Sequence, residues 1–466
     1  MNKTFFHKLI CIFWVLAHIF VFYILYAFRY SINDSNQAHR DWAHGSGNFH
    51  GTPLDYLKLY YSNVSDEAYY YEWSTLALGK SFENNYPFKE RRGSPVEDYF
   101  SQKQERRLPY RDITFEYPPL FALFLIVIRL LSQDYLTFTH ILAWILGSFY
   151  MASLWILYKI WKELPENQRF SWNYILGLSL LSILALGQLF VTRLDVIPSF
   201  LYLIAIYSFM KEKYFPSCIW IVLGIFTKGY SLLLAPLFGI CLLIQKKYRP
   251  LLLSIFFIIF SFVGISLLLS QLTNGHYWDS YRFHASRGIQ IESFYASIPY
   301  FFYITKLSHI FIYMSNGCVN IRFPFTYSLL SASKYLPLLV FGIFYLVFWK
   351  KSPKENQAPL NKAWLLNSSL MLVFCFLVTF KVLSPQFLIW LIPLIFLNPM
   401  MRKRSFQVLW MSTLILTQVI YPNFYWMLSD DVTREGVILI LSRNILLLGV
   451  FLLLLKDWMR FGEQKE

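Results

Sequence analysis

Long apolar stretches make up most of this chain, and short polar segments separate them. The first apolar run extends from Leu9 to Phe28. Later runs lie near residues 118–131, 134–158, 172–192, 196–210, 216–227, 230–245, 250–270, 335–350, 363–380, 385–398, 405–420 and 436–456. Several are apolar on every face and approach the ~20 residues that a helix needs to cross a bilayer. The pattern predicts an all-α polytopic membrane protein with about 11–13 transmembrane helices.

Composition places the chain in the same class. Of its 466 residues, 56% are hydrophobic and 20% are aromatic, and the mean hydropathy is +0.42. A soluble protein is excluded, because soluble helices are apolar along one stripe only. The five cysteines form no CxxC motif. We expect them to be small buried hydrophobes, with neither a metal site nor a disulfide framework.

The net charge of +15 comes from 42 Lys and Arg against 27 Asp and Glu. Most of the excess lies in short loops beside apolar runs, as the positive-inside rule requires, so it does not indicate a nucleic-acid partner. We expect residues 1–28 to be an uncleaved signal anchor and both termini to be cytoplasmic. Long outer loops are expected at 29–117 and 271–334. The run 118–131 is too short to span easily, so it is expected to be re-entrant or interfacial. We expect one domain, over residues 1–466.

The polar stretch from Asp66 to Leu120 concentrates carboxylates, tyrosines and a double proline. It reads DEAYYYEWSTLALGK, then a charged insert at Lys89–Arg107, then LPYRDITFEYPPL. Mixed charge predicts a solvated insert or a surface helix. Asp66-Glu67 and the pair Asp112 and Glu116 could supply a general base. An Asp in a polar loop is, however, more often solvated or caps a helix. No Walker loop, HExxH motif or nucleophile elbow occurs.

These motifs resemble the first outer loop of GT-C polytopic glycosyltransferases. They are most similar to the family that includes polyprenol-phosphate-mannose-dependent α-mannosyltransferases. The matching features are Asp66, the Tyr-rich segment around Tyr70, Gly79, the turn Pro109-Tyr110-Arg111-Asp112 and Tyr117-Pro118-Pro119. The likeness continues at TRLDVIPSF (Thr192–Phe200), GIFTKGYSLLLAPL (Gly224–Leu237), SRGIQIES (Ser286–Ser293) and VLSPQFLIWLIP (Val382–Pro393). Gly79 and Pro109 lie farther apart than is usual in the family.

The resemblance implies a GT-C-type bundle and one inverting displacement. A hexose, expected to be mannose, would pass from a polyprenyl-phosphate donor to a hydroxyl of a lipid or glycan. Asp66 matches the catalytic position. Asp112 is the second choice, as partner of the base or as an acceptor-binding group. Asn63 begins an N-x-Ser triplet just before Asp66, where a glycan would crowd the site, and this favours a bacterial plasma (inner) membrane over the endoplasmic reticulum. The expected setting is glycolipid synthesis for the cell envelope, with the site on the extracytoplasmic face. The resemblance leaves a divalent cation open, and nothing in the sequence demands a cofactor or a metal ligand.

A leaving phosphate monoester carries about two negative charges, so fixed cations beside it would stabilise the transition state. Lys228, Arg287 and Arg193 are the expected donor-phosphate-binding residues; Lys228 could instead snorkel to the interface. The expected sugar and acceptor contacts are Glu67, Tyr70, Glu116, Tyr117, Asp195, Glu292 and Gln386. Asp195 equally suits a helix N-cap, and the tyrosines suit an interfacial belt.

Two other functional classes stay open at this stage. A transporter or lipid-linked-sugar flippase would carry intramembrane charges along a pathway, and transporters often contain internal repeats. The apolar runs hold few charges, and no repeat is visible. A non-enzymatic scaffold for envelope assembly is the second rival. The sequence favours the glycosyltransferase, because its polar chemistry gathers in the expected outer loops.

Overall fold

The computed structural model describes residues 3–28, 66–83, 86, 107–352, 361–430 and 432–461. Within them lie 18 α-helices. Their bounds are α1 Lys3–Phe28, α2 Asp66–Leu78, α3 Pro119–Leu131, α4 Tyr135–Glu163, α5 Trp172–Leu186, α6 Leu189–Thr192, α7 Val196–Met210, α8 Tyr214–Ile225, α9 Leu234–Ile244, α10 Tyr248–Leu272, α11 Asp279–Ser286, α12 Ser297–Ile304, α13 Thr326–Lys351, α14 Lys362–Thr379, α15 Ile392–Ile395, α16 Arg404–Gln418, α17 Trp426–Ser429 and α18 Arg434–Phe461. The predicted all-α membrane class is confirmed.

Helix length and hydropathy separate clear spans from shorter apolar helices. In the described part of the chain, six helices are long and apolar enough to cross a membrane. They are Tyr135–Glu163, Glu166–Leu186, Tyr248–Leu272, Thr326–Lys351, Lys362–Thr379 and Arg434–Arg460. The shorter apolar helices are Ile12–Phe28, Pro119–Leu131, Val196–Met210, Tyr214–Ile225, Tyr230–Ile244 and Pro385–Ile395. The predicted total of 11–13 spans depends on these shorter helices and stays a prediction.

The chain forms two compact units. Unit 1 contains Met1–Asn63, Ser153–Val191 and Arg287–Glu466, and unit 2 contains Val64–Ala152 and Thr192–Ser286. Helix α4 passes from unit 2 into unit 1 along its length. The expectation of a single domain was made from sequence continuity and stays a prediction.

In unit 2, α2 is buried on almost every side although its sequence is polar. Arg129 of α3 donates to the Thr75 hydroxyl at 2.7 Å, and its guanidinium carbon lies 4.7 Å from the centroid of the Tyr71 ring. The Tyr86 hydroxyl donates to Glu72 at 2.6 Å. Because these contacts satisfy buried polar groups, a polar helix can pack inside the unit.

Helix α10 of unit 2 presents apolar side chains in all directions. Ser266 is its single buried residue, whereas Phe256, Ile259 and Phe260 are more than half exposed. A helix that is apolar all round suits a hydrocarbon environment. We therefore treat α10 as lipid-facing along most of its length.

Unit 1 is held by aromatic stacking and by polar contacts between its helices. Trp458 of α18 stacks on Trp364 of α14 with ring centroids 5.1 Å apart, and its indole N–H donates to Ser368 at 2.8 Å. At the other end, Gln188 donates to the backbone oxygen of Leu25 at 2.6 Å. This bond ties α1 to the segment that follows α5.

A three-stranded antiparallel sheet lies in the second loop predicted from sequence, which contained no expected strand. Its strands are β1 Ile289–Gln290, β2 Phe311–Ser315 and β3 Cys318–Arg322, in the order β1-β3-β2. The hairpin between β2 and β3 turns at Asn316 and Gly317, whose φ angles of 48° and 64° are both positive. An Asn-Gly pair adopts such angles readily, which fixes the register Ser315 opposite Cys318.

One expected span has a different local structure. The run 385–398 forms a 3₁₀ turn, Pro385–Trp390, followed by the four-residue helix α15. Pro393 explains the break, because proline lacks the N–H that a continuous helix needs. The insert expected at Lys89–Arg107 lies outside the described residues except at its last position.

Candidate active site

The site in unit 2 begins with Asp66, the first residue of α2. Asp66 and Glu67 form the acidic first turn, where the partial positive charge of a helix N-terminus stabilises carboxylates. The helix ends at Gly79, whose φ of 63° lies in the left-handed region that glycine adopts at helix C-termini. The Asp66 carboxylate is half-buried, and the buried Glu67 follows it.

Arg193 lies between α6 and α7, and its guanidinium forms an ion pair with Asp66. The Arg193 side chain is 7% exposed and the Asp66 side chain 29%. Sequence reasoning assigned these two residues to different tasks, as phosphate ligand and base. The structure brings them into direct contact.

Asp195 lies two residues after Arg193, immediately before α7. It makes no side-chain capping hydrogen bond. Both of its carboxylate oxygens instead accept from the Lys228 ammonium, at 2.9 and 2.8 Å. Asp195 is 2% exposed and Lys228 15%. The sequence suggested either a binding role or an N-cap for Asp195. Asp195 does occupy the N-cap position, but its side chain does not cap the helix.

The turn after α8 positions Lys228. The Gly224 carbonyl accepts from the backbone N–H groups of Thr227, Lys228 and Gly229 and from the Thr227 hydroxyl. Gly229 has a φ of 80°, which favours glycine. The Leu120 N–H at the start of α3 donates to the Phe226 carbonyl at 3.0 Å. This bond fixes the turn beside the Tyr-Pro-Pro motif.

Two tyrosine side chains lie beside the charged cluster, which consists of Asp66, Arg193, Asp195 and Lys228. The Tyr70 hydroxyl lies 3.5 Å from an Asp66 oxygen, to which it donates, and 3.4 Å from the Tyr117 hydroxyl. The Lys228 ammonium is 5.8 Å from the centroid of the Tyr117 ring. Burial raises the pKa of both Tyr70 and Tyr117 well above the ordinary value. Both hydroxyls thus stay protonated and can donate hydrogen bonds.

Burial is the main cause that lowers the pKa of Lys228 from its ordinary value, and the ion pair with Asp195 partly opposes this shift. Glu116 adds a further opposing charge, while Arg193 acts in the same direction as burial. The lysine therefore holds its proton mainly through nearby carboxylates. Its positive charge depends on the groups around it.

Asp112 makes its contacts inside its own turn. Its carboxylate accepts from the Leu108 N–H at 2.8 Å and from Arg111 at 2.9 Å. The Arg111 hydrogen bond is the main cause that lowers the pKa of Asp112. The backbone oxygen of Glu116 lies 2.8 Å from a His284 ring nitrogen. Both carboxylates are thus paired with an arginine, Asp66 with Arg193 and Asp112 with its neighbour Arg111. Catalytic roles for Asp66 and Asp112 stay predictions.

The remaining predicted residues belong to unit 1. Arg287 donates to the Asn316 carbonyl at 3.0 Å, and its own carbonyl accepts from Lys381 at 2.6 Å. Gln386 is buried in the 3₁₀ turn that begins at Pro385. Glu292 is buried and lies 3.7 Å from Arg443 of α18. Their binding roles stay predictions.

Sequence reasoning did not single out Arg443, which is 1% exposed. Its guanidinium also donates to the Glu292 backbone oxygen at 3.1 Å, and the neighbouring Asn444 donates to Ser297 at 2.8 Å. The available signal was an arginine inside the apolar segment ILILSRNILLLGV. An ionisable residue inside an apolar segment is costly to bury, so it is expected to have a specific partner.

Among the described residues, no group of three or more His, Cys, Asp or Glu side chains is placed to hold a metal ion. Asp66 and Asp195 are each ion-paired with a protein cation. The side chains of Cys218, Cys241, Cys318 and Cys375 are buried, as expected.

A family model described as glycosyltransferase family 87 matches residues 115–379, more than half of the chain. The matched range contains Arg193, Asp195 and Lys228, and Asp66 precedes it. No curated protein and no solved structure matches the chain. The match thus covers three of the four charged side chains in the cluster.

Proposed function

We infer the reaction of this membrane glycosyltransferase from the family to which the chain belongs. That family is glycosyltransferase family 87, a GT-C-type polytopic family that includes mannosyltransferases. The enzyme transfers a hexose from a polyprenyl-phosphate donor to a hydroxyl of a lipid or glycan. We propose that this hexose is mannose. The reaction takes place at the extracytoplasmic face of a bacterial plasma membrane.

The proposed step is a single inverting displacement. The acceptor oxygen forms a bond to the anomeric carbon, the bond from that carbon to the phosphate oxygen breaks, and the acceptor proton passes to Asp66. The electron pair of the broken bond stays on the leaving polyprenyl phosphate. Arg193 and Lys228 bind that phosphate, and Tyr117 and Glu116 contact the sugar or the acceptor.

One observation carries this proposal: two carboxylates and two cations from three separate segments meet in unit 2. Asp66 comes from the start of α2, Arg193 and Asp195 precede α7, and Lys228 follows α8. A general base and fixed cations are what this displacement requires, because charge grows on the phosphate as the proton leaves the acceptor. An ordinary solvated surface would not bury these groups.

The decisive experiment supplies purified enzyme with radiolabelled polyprenyl-phosphate-mannose and a crude lipid extract as acceptor. Asp66→Asn is expected to lower turnover by roughly 10²–10⁴, the usual loss for a general base. Asp279→Asn is the matched control, because Asp279 is an exposed carboxylate paired with Arg282. Wild-type turnover by Asp66→Asn would remove Asp66 from the mechanism. Substrate flux into proteoliposomes without a glycosidic product would instead indicate a transporter.

A further inference from the structure

We propose that the donor phosphate binds by replacing the Asp66 carboxylate on Arg193, and that this exchange releases Asp66 to act as the base. The inference rests on the proposed function, because it concerns the same site and the same donor class. It adds a control step, in which the base becomes available when the donor is present.

The starting point is the pairing of the cluster. Arg193 contacts Asp66, and Lys228 donates to both oxygens of Asp195. A phosphate that approaches either cation must therefore compete with a carboxylate already bound to it. The site differs in this respect from a pocket that offers unpaired cations to an anion.

The two ion pairs differ in how easily they can open. The Asp195 side chain is 2% exposed, so it would lose its cation without gaining water. The Asp66 side chain is 29% exposed and can be hydrated when Arg193 leaves it. Separating a buried pair costs most when one charge stays buried and unpaired. Asp66 is therefore the carboxylate that yields its cation to the phosphate.

The charges balance during the reaction. The donor is a phosphodiester with one negative charge, whereas the leaving monoester carries about two. Asp66 loses its charge when it takes the acceptor proton. One negative charge therefore disappears from Asp66 as another appears on the phosphate. Arg193 exchanges its ion pair with Asp66 for an ion pair with the phosphate, so it is never a buried cation without a partner.

The exchange explains how one residue can be both an ion-pair partner and a base. While Arg193 holds Asp66, the carboxylate is a weaker proton acceptor, because the nearby positive charge favours the ionised form. Phosphate binding removes that charge from Asp66. The hydroxyl of Tyr70, 3.5 Å from Asp66, can keep the carboxylate oriented during the change.

The test measures the affinity of farnesyl phosphate, a short analogue of the leaving polyprenyl phosphate that Arg193 would bind, for purified protein in nanodiscs. Asp66→Asn is expected to bind it more tightly, by on the order of tenfold, because Arg193 no longer has a competing anion. Arg193→Gln is expected to bind it more weakly by a similar factor, and Arg193→Lys to retain part of the affinity. Asp279→Asn removes an exposed carboxylate elsewhere in unit 2 and should leave the affinity unchanged.

Three probes identify what is recognised. Farnesol tests the lipid without phosphate, inorganic phosphate tests the anion without lipid, and farnesyl phosphate tests both. Equal or weaker binding of farnesyl phosphate by Asp66→Asn overturns the exchange but leaves the donor class standing. Failure of the wild-type protein to distinguish farnesyl phosphate from farnesol overturns the proposed donor. If Asp66→Asn does not fold, Asp66→Ser replaces it, and thermal unfolding checks each variant.

Discussion

Lys228 illustrates how surroundings set the chemistry of one side chain. Its ammonium donates to both carboxylate oxygens of Asp195 at 2.8–2.9 Å and faces the Tyr117 ring. Burial lowers its pKa, while Asp195 and Glu116 act against that shift. A lysine held in this way is charged because of its partners, so its protonation can be read out through phosphate binding.

We expect the affinity for farnesyl phosphate to decrease as the pH is raised, because Lys228 loses its proton. The decrease should begin at a pH below 10.5, the ordinary pKa of lysine. Tyr117 does not confuse the measurement, because its raised pKa keeps it neutral there. Lys228→Arg should remove this alkaline limb, since arginine stays charged. A limb that persists in Lys228→Arg would assign the titration to another group.

The same lowered pKa has a consequence for stability. The unfolded chain binds the Lys228 proton more tightly than the folded protein does. The contribution of this group to the free energy of unfolding therefore rises as pH climbs from the lowered pKa towards 10.5.

At the scale of residues, the sequence was enough to predict which charged residues lie in the site. It was not enough to predict which of them form ion pairs with each other. Asp66, Arg193, Asp195 and Lys228 were each expected in the site. Their spacing in the chain could not show that Arg193 contacts Asp66 while Asp195 holds Lys228. Those pairs join residues separated by 127 positions and by 33 positions, so only the packed fold determines them.

At the scale of elements, the turn after α8 depends on the absence of a side chain at Gly224. A Cβ there would lie 2.5 Å from the Ser231 Cβ and 2.2 Å from its hydroxyl oxygen. The Gly224 carbonyl also receives the hydrogen bonds that shape the Lys228 turn. Backbone shape and cation position are thus coupled.

Gly224→Ala is expected to displace the turn and to weaken binding of farnesyl phosphate by roughly tenfold, with a loss of stability of about 1–3 kcal/mol. Ser231→Gly in the same chain should recover part of both, because it removes the colliding atoms. Calorimetric titration and thermal unfolding measure the two effects. Unchanged binding by Gly224→Ala would show that the turn tolerates the methyl group.

In unit 1, α18 is connected to the loop after β1 by Arg443 and Glu292. Arg443→Met leaves the Glu292 carboxylate, 2% exposed, without this cation. We expect a loss of about 3 kcal/mol in the free energy of unfolding. Arg434→Met, at the exposed start of the same helix, is the control. Adding Glu292→Gln to Arg443→Met should restore much of the stability, and failure to do so would show that the two side chains are not coupled.

Element prediction was reliable where the apolar runs are long. The apolar runs became helices at most expected positions, because the bilayer requirement leaves few alternatives. The sheet was missed, although Asn316-Gly317 is a strong hairpin signal. That signal was overlooked because the flanking strands have only five residues each. The run 385–398 was expected to form one span, and the structure divides it into a 3₁₀ turn and a short α-helix.

At the scale of the whole molecule, topology decides on which side of the membrane the site lies. The positive-inside rule places Lys246 on the cytoplasmic side and the loop that contains Arg111 outside. Both residues are exposed, so both positions can be labelled.

In a background with the five cysteines replaced by serine, Arg111→Cys should react with a membrane-impermeant maleimide in intact cells. Lys246→Cys should react only after permeabilisation. Gel shift of the labelled protein measures both. The reverse pattern would place the site on the cytoplasmic side and contradict the proposed setting.

The internal pairing of the site also bears on its surroundings. A bilayer surface contains many phosphodiester headgroups. An arginine and a lysine without carboxylate partners would bind those headgroups if they lay close to the surface. Here each positive side chain already has an acid neighbour. A bystander phospholipid must displace one of these acids to bind, and it lacks the sugar through which the proposed donor would make further contacts. We therefore expect anionic lipids to bind the resting site more weakly than they would bind unpaired cations.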